Sequence, residues 1–172
     1  LSGANSFSGG TTVNAGTLAY GANNVLANGG AVNVSGGTLD IAGYSDTVGV
    51  VTLTSGAING TGGTLTGSSY VLESGTVSAI LGGSGTLTKN TAGTVTLSGN
   101  NSFSGNTALN AGTLVLNWAN TGSSTVTINS SSKPTLKLGH TNALINSVLV
   151  GAGSSANTGN LELAVGGDFV VG

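Results

Sequence analysis

Arginine, glutamine, cysteine and methionine are wholly absent from this 172-residue chain, and three lysines and five carboxylates are its only charged side chains besides one histidine. A net charge of −2 with no arginine removes the electrostatic basis for gripping a phosphate backbone, so nucleic acid is excluded as a partner. The lack of cysteine excludes a disulfide framework and suits either a reducing cytosol or an exported chain. No uninterrupted apolar run reaches the ~18 residues that a membrane-spanning helix needs. The first residues also lack the basic and hydrophobic sections of a signal peptide. Because the chain opens on Leu1, in the middle of a repeat, it reads as a processed product or a window from something longer.

Disorder does not follow from the low charge. Apolar residues make up 38% of the chain, mostly Val, Leu, Ile and Ala, and they alternate with polar ones. Thirty-two glycines and abundant Thr, Ser and Asn fill the remainder. Leu1 to Leu18 (LSGANSFSGGTTVNAGTL) and Leu97 to Leu114 (LSGNNSFSGNTALNAGTL) are one paragraph written twice, 96 positions apart and identical at 14 of 18 places. A smaller motif recurs at Gly16-Thr17-Leu18, Gly37-Thr38-Leu39, Gly56-Ala57-Ile58, Gly75-Thr76-Val77, Gly93-Thr94-Val95 and Gly112-Thr113-Leu114, in steps of 21, 19, 19, 18 and 19 residues. Such a period predicts a stacked coil.

Aligning those motifs with the later stretches gives one aliphatic column: Leu18, Leu39, Ile58, Val77, Val95, Leu114, Leu136 and Leu161. Two residues further on, a second column reads Tyr20, Ile41, Gly60, Ala79, Leu97, Leu116, Leu138 and Leu163, as a strand period of two demands. Both are expected to point inward. A third column, Val13, Val34, Leu53, Leu72, Leu87 and Leu109, opens a second face. Two out-of-register copies, Gly63-Thr64-Leu65 and Gly85-Thr86-Leu87, are assigned to other faces. Gly and β-branched residues disfavour helix, and Asn-Gly clusters suit corners. Each buried Leu, Ile or Val contributes on the order of 1.5–3 kcal/mol, too little for one turn alone, so stability must come from stacking, with asparagine ladders along the axis. The expectation is all-β, a β-solenoid of about eight or nine turns of roughly 19–20 residues and about 40 Å long, one domain over 1–172, with clear repeats in 1–120 and looser ones in 121–172.

The stretch from Gly83 to Asn117 (GSGTLTKNTAGTVTLSGNNSFSGNTALNAGTLVLN) strongly resembles the passenger-associated repeat of bacterial autotransporters, and Leu1 to Leu18 matches its second half. Thr135 to Leu144 and Gly16 to Leu26 resemble the connecting segment found downstream of such repeats. The resemblance implies a right-handed, single-stranded parallel β-helix at the outer surface of a Gram-negative-type envelope, part of a type V secretion passenger. In that family the repeat is associated with folding and transport and carries no catalytic residues.

Parallel β-helices also host polysaccharide lyases and hydrolases, which need clustered acids or bases. The carboxylates are Asp40, Asp46, Glu73, Glu162 and Asp168. Asp40 and Glu162 fall in one outward column but six turns apart, roughly 29 Å at strand spacing, whereas glycoside hydrolysis wants its carboxyls within about 5–9.5 Å. Asp46 and Glu73 lie where the register is open, leaving one accidental pair to be tested. His140, the only histidine, has no second histidine or cysteine with which to hold a metal and reads as a loop residue. Lys137 and Glu162 fit a cross-strand ion pair worth at most about 1 kcal/mol. Gly166-Gly167-Asp168 is a single, weak calcium-roll string. Trp118 suits packing beside Leu116 better than a sugar platform. The sequons at Asn33, Asn59, Asn100 and Asn129 are what this composition yields by chance. Thr-x-Thr strings at Thr52, Thr64, Thr86, Thr94 and Thr125 raise ice binding, but they do not recur once per turn.

These readings give no catalytic, cofactor-binding or metal residue and no cofactor. They favour a non-enzymatic extracellular rod or stalk that supports adhesion. The alternatives are a filament subunit stacking end to end and a carbohydrate- or ice-binding solenoid. The partners expected are neighbouring turns, copies of the chain and surface glycans.

Overall fold

The computed structural model of the protein describes residues 1–3, 5–117, 121–122, 125–129, 132–139, 147–150 and 160–163. Thr, Val and Leu alternate in short runs broken by Gly and Asn. A run of that kind buries one edge as a strand and then turns, and here each returns parallel to the strand one turn before. The result is a parallel β-solenoid, of which about six turns are seen whole, against the eight or nine expected.

The first face stacks β1 (Thr11–Val13), the start of β3 (Val32–Asp40), the middle of β4 (Asp46–Asn59), the end of β5 (Thr64–Leu72), β8 (Thr86–Lys89), β10 (Thr107–Leu109), β12 (Thr125–Ile128) and β14 (Ser147–Val150). The second face stacks β2 (Thr17–Ala19), the ends of β3 and β4, β6 (Gly75–Val77), β9 (Thr94–Leu97), β11 (Thr113–Leu116), β13 (Thr135–Leu138) and β15 (Asn160–Leu163). A third face runs from the start of β4 through the start of β5 to β7 (Ile80–Gly82), and Ser102 continues it by donating its N–H to Leu81 O at 2.9 Å. The levels on each of the first two faces span roughly 34 Å at about 4.8 Å per level.

The first inward column holds at Leu39, Ile58 and Val77. Leu39 pairs with Ile58 and Ile58 with Val77, all three buried. Threonines beside them (Thr17, Thr38, Thr76, Thr94, Thr113 and Thr135) are exposed or half-buried. The extra Gly-Thr-Leu copies do lie on other faces: Leu65 pairs with Leu81 on the third, and Leu87 with Tyr70 on the first.

Two details of the expected alignment are corrected. Val77 stacks on Leu97 and Gly75 on Val95, so the column does not run from Val77 to Val95. Steps of 18 and 20 residues both keep aliphatic side chains inside, because the strand period is two. Alternation cannot choose between them; the corner does, with Ser98 donating its N–H to Val77 O at 2.7 Å. On the first face Leu87 does not complete the third column. Lys89 pairs with Leu109 there, and it is fully buried.

The glycine of the motif marks the corner between the first and second faces. Gly56 and Gly75 have φ of 95° and 124°, and a Cβ on either would run into the carbonyl oxygen of the glycine one turn below, Gly37 and Gly56 respectively. Only glycine allows both that backbone and that approach.

Candidate functional site

The chemically distinctive part of the coil is the corner that follows the first face. Glu73, just past β5, spreads its carboxylate over the next turn: Oε2 accepts the N–H groups of Asn90 at 3.0 Å and Thr91 at 2.8 Å, and Oε1 accepts from Asn90 Nδ2 at 3.4 Å. Asn110 Nδ2 then donates to Asn90 Oδ1 at 2.8 Å, and Asn129 Nδ2 to Asn110 Oδ1 at 3.3 Å. This is the expected asparagine ladder, with a carboxylate at its foot. Beneath it, the four methylenes of Lys89 fill an aliphatic column while its ammonium turns back to donate to Glu73 O at 2.9 Å and Thr91 O at 2.7 Å. Burial pushes the Lys89 pKa down, and the Glu73 charge only partly opposes it. For Glu73, burial works to raise the carboxyl, but the hydrogen bonds from Thr91 and Asn90 and the Lys89 charge outweigh it and hold the group below its usual range.

Asp46 is buried on the third face, paired with Leu65, and its Oδ2 accepts the Leu26 N–H of the preceding turn at 2.9 Å. Asn101 does the same three turns later, its Oδ1 accepting the Leu81 N–H at 2.9 Å. Asp46 Oδ1 and the Tyr20 hydroxyl are both buried neighbours whose geometry falls short of a hydrogen bond. Burial first, and then the Asp46 charge, push the Tyr20 pKa far up. Tyr70 is the opposite case. Its buried hydroxyl accepts from Gly67 N at 2.8 Å and shares its one proton between Gly82 O at 2.6 Å and Leu65 O at 2.9 Å.

The carboxylates of Asp40, Asp46 and Glu73 are therefore not gathered. Asp46 and Glu73 sit on different faces, each with its own backbone partners. Asp40 and Glu162 do not share a column. Asp40 pairs with Asn59, whereas the row of Glu162 runs down through Lys137, Val115, Thr96 and Thr76, and the two-residue shift between β6 and β9 separates the two rows. Asp40 Oδ1 accepts the Ala42 N–H at 2.9 Å, fixing a turn. Lys137 and Glu162 do occupy adjacent levels. Thr52, Val71, Thr88, Ala108 and Thr127 form one outward row, so threonine is interrupted there as expected. His140, Trp118, Asp168 and the end of the Asn129 sequon lie outside the described residues. Among the described residues no three His, Cys, Asp or Glu side chains gather around a common point.

Sequence reasoning missed Lys89, Tyr70 and Asn101. Lys89 stands in a Thr-x-Thr-Lys string that reads as an exposed strand end, and only the register reveals that it points inward. Asn101 was visible, since the repeated paragraph places Asn5 at the same position, where its Nδ2 donates to Val25 O of the following turn at 2.7 Å.

Among the described residues, Asp46, Lys89 and Asn101 are buried polar groups that bond to the backbone of an adjoining turn, so the polar interior of this parallel β-solenoid largely serves its stacking. The family model of the passenger-associated-transport-repeat matches residues 1–19 and 87–116, two stretches that include the paragraph the sequence itself duplicates. No curated protein and no solved structure matches the chain. The two family-model matches cover less than a third of the chain, and together with the fold they make it similar to an autotransporter passenger-like structural domain.

Proposed function

We propose that the chain is a non-enzymatic, single-domain stretch of a surface-exported passenger, a stiff coil that holds other parts of its parent protein away from a Gram-negative-type cell. The observation that carries this reading is the use made of the charged and amide groups. Glu73, Lys89, Asp46 and Asn101 are each committed to backbone groups of an adjoining turn, which leaves none of them poised over a cleft. The outward row of Thr52, Val71, Thr88, Ala108 and Thr127 on the first face carries only hydroxyl and apolar side chains with little chemistry of their own.

Antibody raised to this domain and applied to intact cells that carry the parent gene tests the location. Labelling without permeabilisation is expected, and labelling only after permeabilisation would overturn it. Incubation of the purified chain with a panel of bacterial and plant polysaccharides tests the rest. No cleavage is expected, and turnover that disappears on substituting Asp40 or Glu73 would refute the structural reading.

A further inference from the structure

We infer that Asn28 is a self-modification site, where the side-chain amide condenses with the main-chain nitrogen of Gly29 to a succinimide that water then opens to an aspartyl or isoaspartyl residue. The bond from the Gly29 nitrogen to Asn28 Cγ forms as the bond from Cγ to Nδ2 breaks. The Gly29 amide proton ends on Nδ2, which leaves as ammonia. Hydrolysis of either ring C–N bond completes the change, and nothing is oxidised or reduced.

Asparagine precedes glycine at two places, 28–29 and 59–60, and both asparagines are exposed. Motif and exposure therefore do not separate them; the backbone does. Ala27–Gly30 is a tight turn in which Gly30 donates its N–H to Ala27 O at 3.0 Å and Gly29 has φ of 82°. Among the described residues, neither the Asn28 side chain nor the Gly29 N–H has a hydrogen-bond partner. A Cβ on Gly29 would meet nothing within 4 Å, so the peptide between the two residues has room to rotate until its nitrogen faces Cγ. The turn lies inside the stack. A Cβ on Gly30 would lie 3.4 Å from Gly9 O on one side, and on the other Gly49 donates its N–H to Gly30 O at 2.8 Å. Its exposure comes from projecting sideways.

At 59–60 the same atoms are tied down. The Gly60 N–H is donated to Ser78 Oγ at 3.2 Å. Asn59, the last residue of β4, pairs with Asp40, and its main-chain oxygen accepts the Ile41 N–H at 2.9 Å. A Cβ on Gly60 would come within 2.9 Å of Ala79 Cα, so this peptide has no room to turn. Attack there needs the corner to open first, and the rate falls with the population of the open form.

Conversion at Asn28 adds a negative charge to a chain with five carboxylates. The isoaspartyl product also routes the main chain through the former side-chain methylene, lengthening the turn against which Gly49 is bonded. The inference rests on the turn and not on the proposed surface role, so either can fail alone.

The test ages the purified chain in mildly alkaline buffer and maps its peptides by mass spectrometry with electron-transfer fragmentation, which tells isoaspartate from aspartate. Asn28 is expected to convert roughly tenfold or more faster than Asn59, with isoaspartate among its products. In the urea-unfolded chain the two sites should convert at similar rates. Ser78→Ala, which frees the Gly60 N–H, should raise the Asn59 rate several-fold and leave that of Asn28 unchanged. Equal rates at the two sites of the folded chain, faster conversion at Asn59, or a difference that persists undiminished in urea would each overturn the assignment.

Discussion

Glu73 shows how much of this coil depends on single polar groups placed where a strand ends. Its folded pKa is depressed, so the stability it contributes is fully present above the unfolded value near 4.5 and is lost as pH falls through the lower folded value. Thermal unfolding followed by circular dichroism from pH 7 down to 3 should show that loss, and Glu73→Gln should remove that part of the slope while costing about 1 kcal/mol at neutral pH. Lys89 gives a slope of the same sign in a different pH window. Its folded pKa is depressed too, so the unfolded chain binds more protons between that value and 10.5, and stability rises with pH across that window. Lys89→Met should abolish the rise and keep the fold, because the methionine stem fills the same column. Tyr70→Phe is expected to cost about 2–3 kcal/mol, measured by denaturant titration, since Gly67 N–H and Gly82 C=O would be left buried without their partner. None of these roles was legible from composition. A lysine, a tyrosine and a glutamate look alike on a surface and in a corner until the register says which way each strand faces.

The strands and corners were far more readable. Alternation fixed which residues point inward, and the recurring Gly-Thr-Leu motif marked where the second face begins. What alternation could not supply was the choice between two register steps of the same parity, and this is why Val95 was assigned the place that Leu97 holds over Val77. The corner glycines set the other limit on change. Gly56→Ala should destabilise the chain by about 3 kcal/mol or more, combining backbone strain at φ 95° with the collision against Gly37 O. Ala57→Gly, one residue on, serves as the comparison and should cost no more than about 1 kcal/mol in the same denaturant titration. An equal loss in the two variants would mean that the glycine stack is not what holds this corner.

As a whole, the molecule is a pile in which each turn meets only its neighbours, so it should tolerate changes made in whole turns. Deleting residues 98–116 joins Leu97 to Asn117, and because Leu97 and Leu116 are register partners the chain resumes in place one level lower. That variant should keep a β-type circular dichroism spectrum and a cooperative melt, whereas deleting 98–107 should abolish cooperativity. The repeat and the stacked architecture were legible at this scale because a duplicated paragraph and a period near 19 residues leave few other folds open.

The two-residue offset between β6 and β9 also has a mechanical meaning. On the second face one aliphatic row, from Leu39 through Ile58, Val77 and Leu97 to Leu116, runs straight past it, but the row of Val95 and Leu114 begins above a glycine, Gly75, and has no greasy foundation below. Masonry with one unbroken course and one interrupted course cracks at the interruption. Pulled along its length, the coil should part between these two strands before it frays anywhere else, giving a rupture step of reproducible size in a force-extension trace.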